Sequence, residues 1–229
     1  MNRYACYCMT RNIYHKVVPS MMSMLEHSSA EIYLLTEDDD IGFPVPDRVH
    51  IVNVAGQTYF TTDGPNYHCG WTWMVLMRTT LSKVFPDFDR ILSIDLDTIV
   101  MEDIDELWET DLNGYYLAAC TEPRKNAANM MYVNGGVVLW NLEKMRDGMC
   151  DRIIKSLNTK KWPFPDQEVV TDLCQGHIRE LPSMYNVCYY TKQPQKVKIK
   201  HFAATHDWYE REPLVKKYRK DISNEITKL

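Results

Sequence analysis

The stretch from Arg90 to Trp108, RILSIDLDTIVMEDIDELW, constrains the fold of this chain more than any other. Ile91, Leu92 and Ile94 form a short run of β-branched and aliphatic residues, the pattern of a strand buried on both faces. The run stops at two carboxylates, Asp95 and Asp97. With extended backbone through them, their side chains share one face while Leu96 points back into the core. Two like charges at that spacing raise each other's pKa, and a hard divalent cation with oxygen ligands is the usual device that keeps both ionised. Ligands of open α/β sheets bind outside the carboxyl ends of the strands, where this pair lies. A three-letter pattern is weak alone. A strand end with solvated aspartates competes with it, one of them capping the helix that Ile104, Leu107 and Trp108 suggest by their spacing.

A chain of 229 residues, 45% of them hydrophobic, buries one sizeable core, so one domain over residues 1–229 is expected. A net charge of -5 and a pI near 5.8 exclude a general nucleic-acid binder and leave nucleotides open as small molecules. No apolar stretch approaches the roughly 18 residues of a membrane span, and MNRYACYCMTRN lacks the basic region and long apolar core of a signal peptide. A cytoplasmic location is the expectation. The 7 cysteines include no C-x-x-C pair. Cys6 and Cys8 fall on one face of a strand, where small buried thiols are expected rather than zinc ligands.

Tyr4 to Met9 reads as the first strand, followed by a polar break at Thr10, Arg11 and Asn12. Val17, Val18, Met21, Met22, Met24 and Leu25 then fall near helical spacing, with Pro19 tolerated in the first turn. Ala30 to Thr36 completes a β-α-β unit with parallel strands. Thr10 and Asn12 therefore share the sheet rim of the Asp pair. The acidic run Glu37 to Asp40 reads as a solvated turn. Val49 to Val54 is a third strand, and Ala55 to Gly70 a loop. Arg78 lies on the next helix: a surface charge by default, or a planar fork for a phosphate if it sits near the strand ends.

Beyond Trp108, Tyr116 to Cys120 is another strand candidate, and TEPRKNAANM has the look of a mobile loop. In MYVNGGVVLWNL, Asn134, Gly135 and Gly136 interrupt a strand pattern, marking either a bulge or a close approach by a ligand or another backbone. Glu143 to Leu157 reads as one helix capped by Asn141. In WPFPDQEVVTDL, Asp166 is placed as the N-cap of the following helix, and Gln167 beside it. Ile178 to Leu181 is a short strand. VKIKHF, ending near His201, alternates as a strand with one exposed face. The tail over about 213–229 reads as a charged surface helix whose basic cluster offers at most a weak contact to an anionic membrane surface.

Taken together, T-x-N after the first strand, the arginine helix, RILSIDLDTIV with DIDELW, VNGGVVLWNL, PDQ and a late HF resemble glycosyltransferase family 8 in order and spacing, from about Tyr4 to Trp208. The resemblance implies an α/β GT-A fold, a Rossmann-like nucleotide-binding domain with a mixed, mainly parallel sheet. It implies manganese-dependent retaining transfer from a UDP-sugar to a glycan, lipid-linked or protein acceptor, with magnesium as the substitute metal and glucose or galactose ranked first. Asp95, Asp97 and His201 match the metal ligands. Thr10, Asn12 and Tyr14 match the uridine contacts, and Arg78, Asp95, Leu96 and Asn134 the remaining donor contacts. Asp166 and Gln167 match the pair nearest the anomeric carbon.

Where the family follows its late histidine with glycine and then Lys-Pro-Trp, this chain reads HFAATHDWY. The base facing the diphosphate is then His206 or a neighbour such as Arg211, or the donor is held more loosely. Two other classes compete. DLDTIV also resembles the nucleophile motif of haloacid-dehalogenase-type phosphatases, in which the first aspartate is phosphorylated. That motif generally opens its domain, whereas this one follows three strand candidates. The other is a nucleotide-sugar-binding module without turnover.

Overall fold

The structure is a computed structural model that describes residues 2–122 and 131–226. The chain opens with β1 (Tyr4–Cys8), a tight helical turn at Arg11–Val17, α1 (Val18–His27), β2 (Glu31–Thr36) and β3 (Val49–Asn53). Two short helices, α2 (Met74–Met77) and α3 (Leu81–Val84), lead into β4 (Arg90–Ile94) and β5 (Thr98–Val100). After a helical turn at Asp105–Glu109 come β6 (Leu117–Thr121) and β7 (Val133–Asn141). Then follow α4 (Leu142–Met145), α5 (Met149–Thr159), α6 (Pro165–Leu173), β8 (Ile178–Glu180), β9 (Ile199–His201), α7 (Trp208–Arg211) and α8 (Pro213–Ile226).

The main sheet has the order β3-β2-β1-β4-β7-β6-β8. β1 pairs in parallel with β2 and β4, β2 with β3, and β6 with β8, while β7 runs antiparallel to both its neighbours. Alternate residues of each central strand feed opposite layers, as pleating requires. Ala5, Tyr7, Leu92, Ile94, Val137 and Leu139 pack towards α1 and Trp108. Cys6, Ile91, Val138 and Trp140 pack towards α2, α5 and α6. A mixed, mainly parallel sheet covered by helices is what the buried strand patterns led one to expect.

Four local expectations change. The segment expected to be one helix from Glu143 splits into α4 and α5 at Gly148, whose φ of 107° lies in the left-handed region that glycine tolerates. Asn141 still caps, its side chain accepting from the Lys144 N–H. Asp166 is not the N-cap of α6. Phe164 holds that position and Asp166 stands inside the first turn. Lys198, expected on an exposed face, is buried, its ammonium bonded to the Asp103 carbonyl at 2.7 Å and paired with Glu106. The tail helix α8 is partly a core element: Val215 and Tyr218 are buried with Ile99 and Phe202. Of the polar loop expected over 121–130, residues 123–130 lie outside the described residues. All seven cysteines are free, with Cys6 buried and Cys8 half-buried. Among the described residues no helix is long and apolar enough to cross a membrane.

Candidate active site

β4 ends at Ile94, and Asp95 to Asp97 form a turn rather than continued strand. The two carboxylates therefore converge through turn geometry, not through strand alternation. Leu96 is half-buried against the core, as its position between them suggested. The turn is tied down on every side. The Asp95 N–H donates to the Gly136 carbonyl at 2.9 Å, and the Phe202 N–H donates to the Asp97 carbonyl at 2.8 Å. The Thr98 hydroxyl donates to the Asp95 carbonyl at 2.8 Å and meets Ser20 at 2.7 Å, which in turn meets the Tyr7 hydroxyl at 2.9 Å. This buried chain of hydroxyls leaves few conformations open to the acidic turn.

The small β5–β9 pair delivers the third member. Thr98 sits opposite His201 in an antiparallel register, so a residue from late in the chain is delivered to the turn. His201 Nε2 lies 3.2 Å from Asp97 Oδ1 and 3.7 Å from Asp95 Oδ2. The ring also explains the second glycine of the pair in β7. A Cβ added at Gly136 would overlap the His201 imidazole, so the close approach marked by that glycine is made by a side chain. β7 itself remains a continuous strand, and the irregularity falls in its pairing with β6 between Ala119 and Thr121. Burial alone would lower the pKa of His201, but the charge of Asp97 and the bond to it outweigh burial and hold the imidazole well above its ordinary range. Asp97 moves the opposite way: burial would raise its carboxyl, and His201 brings it below the usual value.

Ligand atoms of Asp95, Asp97 and His201 all lie within 4.8 Å of one another. Two carboxylate oxygens and one imidazole nitrogen, with the nitrogen aimed at both acids, fit a divalent cation such as Mn2+, and Mg2+ through the oxygens.

Arg78 is buried, not a surface charge. Its guanidinium donates to Asp95 Oδ1 at 2.6 Å and to the Gly135 carbonyl at 2.7 Å, and lies 3.4 Å from Asp166 Oδ2. Burial works against its charge, but the carboxylates of Asp95 and Asp166 raise its pKa further than burial lowers it. Burial pushes the Asp166 carboxyl up, in spite of Arg78. Gln167 Oε1 accepts from the Gly135 N–H at 2.9 Å. One arginine and one glycine backbone thus join the Asp-bearing turn to the start of α6.

Asn134 is buried beside this group, donating to Glu122 at 2.9 Å and accepting from Asn186 at 2.7 Å. Thr10 is buried and Asn12 exposed, and the Thr10 hydroxyl donates to Asn12 Oδ1 at 2.8 Å. Tyr14 is buried with its hydroxyl engaged: it donates to Asp38 at 3.0 Å and accepts from the Glu37 N–H at 2.8 Å. His206 is exposed just before α7, and Arg211 pairs with Asp207 at 3.4 Å. Among the described residues no ion pair joins either to the acidic turn. In the segment after His201, where the family resemblance leads one to expect a glycine, Ala204 keeps a positive φ of 56°. Asn186, Glu122 and Tyr190, all bonded into the Asn134 group, carried no signal in the sequence, because isolated polar residues in a loop look like any others.

A mainly parallel sheet with an acidic turn at its carboxyl rim, closed by a histidine from a late strand, defines the GT-A class of glycosyltransferase fold. The solved structure of the galactosyltransferase LgtC with donor and acceptor sugar analogues superposes with a TM-score of 0.70 at 15% identity, covering 99% of this chain and 97% of that one. The structure of the glycosyltransferase GlyE of Streptococcus pneumoniae gives 0.72 at 18%, covering 100% and 64%. The sequence profile of glycosyl transferase family 8 matches residues 19–206, and the chain belongs to that family. The lipopolysaccharide 1,2-glucosyltransferase of Escherichia coli K12 is 29% identical over 167 residues, 59% of this chain and 49% of that protein. GlyE is 27% identical over 184 residues, 75% and 44% respectively. The chain spans between 33% and 49% of the length of the curated relatives it matches. Family membership removes the phosphatase alternative.

Proposed function

We propose that this chain, as a single catalytic domain, transfers a hexose from a UDP-sugar to a hydroxyl of a glycan, lipid-linked or protein acceptor, with retention at the anomeric carbon and with Mn2+ as cofactor. The observation that carries the reading is the meeting of Asp95, Asp97 and His201 at the carboxyl rim of the sheet in a chain of this family. Glucose and galactose come first on family grounds, with one relative named a glucosyltransferase and one solved structure named a galactosyltransferase, while a third solved structure of the same fold is named a xylosyltransferase.

Asp95, Asp97 and His201 hold the cation, which when bound neutralises the negative charge that grows on the departing diphosphate. Thr10, Asn12 and Tyr14 form the uridine end. Tyr14 acts there through its ring edge or by bracing the Glu37–Asp38 turn, since its hydroxyl is already bonded twice. Arg78 fixes Asp95 against Asp166, and Asn134 stands beside the sugar end, its amide committed to Glu122, Tyr190, Gly136 and Asn186. His206 and Arg211, both exposed on the segment after His201, are the side chains proposed to face the diphosphate from the solvent side.

As the sugar becomes oxocarbenium-like, Asp166 stabilises its positive charge or holds its hydroxyls. Gln167 is an amide with its oxygen committed to the Gly135 N–H, a poor nucleophile. Same-face attack therefore fits better than a covalent intermediate. The acceptor oxygen bonds to the anomeric carbon as the bond to UDP breaks, and the acceptor's proton passes to the departing phosphate oxygen. Trp71, half-exposed and with its ring centroid 5.2 Å from that of Phe164 at the start of α6, offers an aromatic surface on which an acceptor sugar can rest.

The test is a panel of UDP-sugars with Mn2+, read by thermal shift and by release of UDP. One hexose donor should raise the melting temperature and be turned over, since a bound donor stabilises by mass action. Donor binding without turnover would convert the reading to a nucleotide-sugar-binding module, and no response to any UDP-sugar would overturn it.

A further inference from the structure

We propose that Asn186 is a positioning residue that sets the tautomer of His201, so that Nε2 presents its lone pair to the cation held with Asp95 and Asp97. This rests on the metal reading given above.

The direction of the hydrogen bonds follows from two fixed ends. Asn134 makes four bonds within its pocket, two through Nδ2, one of them to the Tyr190 hydroxyl at 3.4 Å, and two through Oδ1. Its nitrogen Nδ2 faces Glu122 Oε2 at 2.9 Å, and its oxygen Oδ1 lies 3.0 Å from the Gly136 N–H. A backbone N–H can only donate and a carboxylate only accepts, so both neighbours independently dictate which end of the Asn134 amide is oxygen. That oxygen also faces Asn186 at 2.7 Å, and the atom opposite it must be the Asn186 NH2. The Asn186 oxygen is then left to face His201 Nδ1, at 2.7 Å. An oxygen there accepts, so Nδ1 keeps its proton, and Nε2, which faces Asp97 at 3.2 Å, is the nitrogen left to ligate once a cation displaces the proton between them.

The sulfur of Cys188 also approaches Nδ1, at 3.6 Å. It is farther than the amide oxygen and a weaker partner, and its own contact to Asn186 Oδ1 at 3.8 Å is compatible with the same arrangement. All the links are buried: Asn186, Asn134, Glu122 and His201 are each below a tenth exposed. Water cannot readily stand in for a lost partner. A ligating imidazole held through its other nitrogen is a recurrent feature of metal sites, and loss of that partner typically costs roughly ten- to a hundredfold in affinity.

The experiment measures Mn2+ affinity of the intact chain by electron paramagnetic resonance, without donor or turnover. Asn186→Ala and the near-isosteric Asn186→Leu should both weaken binding about ten- to a hundredfold. In a His201→Ala background the same substitutions should change it by less than about twofold, because coupled residues are not additive. In the wild-type chain carrying 15N-labelled histidine and loaded with diamagnetic Cd2+, His201 should show a protonated Nδ1 and a ligated Nε2. Unchanged Mn2+ affinity in both variants, an equal loss without His201, or a protonated Nε2 would each overturn the assignment. A wild-type chain that binds neither ion would instead overturn the metal reading beneath it.

Discussion

Two acidic segments end parallel strands on the same rim of the sheet, Glu37–Asp40 after β2 and Asp95–Asp97 after β4, with β1 between them. They are built in opposite ways. Asp38 is held by the exposed guanidinium of Arg11 at 2.7 Å, and Glu37 accepts from the Trp73 indole at 3.0 Å and the Arg11 N–H at 2.8 Å. Asp95 and Asp97 are held by Arg78 and His201, whose side chains are 8% and 4% exposed. In the first segment water shares the work of stabilising charge, so any one contact is dispensable. In the second the protein has replaced water with fixed partners, and a small cation entering there meets ligands already in place. Carboxylates alone do not mark a site; the burial of their counter-charges does.

The largest expected effect separates the two segments by chemistry. Asp97→Ala should lower metal-dependent turnover by roughly a hundredfold or more and remove Mn2+ binding. Asp38→Ala should leave Mn2+ affinity within about twofold, because its side-chain partners, Arg11 and Tyr14, are not those of the metal-binding turn. Equal losses in both variants would erase the distinction.

A second comparison uses stability. Arg78→Met leaves Asp95 and Asp166 without their buried cation and should cost about 3–5 kcal/mol in urea denaturation. Arg11→Met should leave the urea midpoint close to that of the wild type, and closer still in high salt. A mild Arg78 variant would mean that Asp166 simply takes a proton in its place, which the upward push on its carboxyl makes the natural escape.

The third is read against pH in the metal-free chain. Asp97 is depressed on folding, so its contribution is present above the unfolded carboxylate range and is lost as pH falls through its lower folded value. His201 is raised, so its contribution is full below about 6.5 and is lost as pH rises through its higher folded value. Stability should therefore fall at both ends, and Asp97→Asn should flatten both limbs. Asp38→Asn should flatten the acid limb and leave the limb set by His201 unchanged, since Asp38 is depressed chiefly by its bond to Arg11 and its other partner, the Tyr14 phenol, is raised and titrates only in the alkaline range.

The smallest effect concerns the segment that follows His201. Ala204 keeps a left-handed backbone at φ 56°, and Ala204→Gly should stabilise the chain by up to about 1 kcal/mol. A thermal melt that moves downward would show that this backbone is not strained.

Much of this was legible in residues alone. The strands of β1, β2 and β4, the parallel unit they begin, the Asn141 cap and the acidic pair at a strand end follow from short-range patterns, because pleating, capping and strand burial act over a few residues. The fate of Arg78 was not legible. A helix position can be read from spacing, but whether its charge meets water or two carboxylates depends on β4 and α6 packing on either side. Asp166 looked like a cap for the same reason: its neighbours in sequence suit that role, and its neighbours in space, Arg78 and Gly135, do not appear in the local pattern.

By itself the sequence determined that an α/β sheet would form and that two carboxylates would stand at its rim, since hydrophobic alternation and chain direction dictate both. Only the tertiary structure decided what those carboxylates face. His201 reaches them through the register of β5 on β9, Gly136 makes room for its ring, and Asn186 holds its far nitrogen. Those contacts join segments far apart along the chain, and the energy that selects them resides in packing rather than in any local preference.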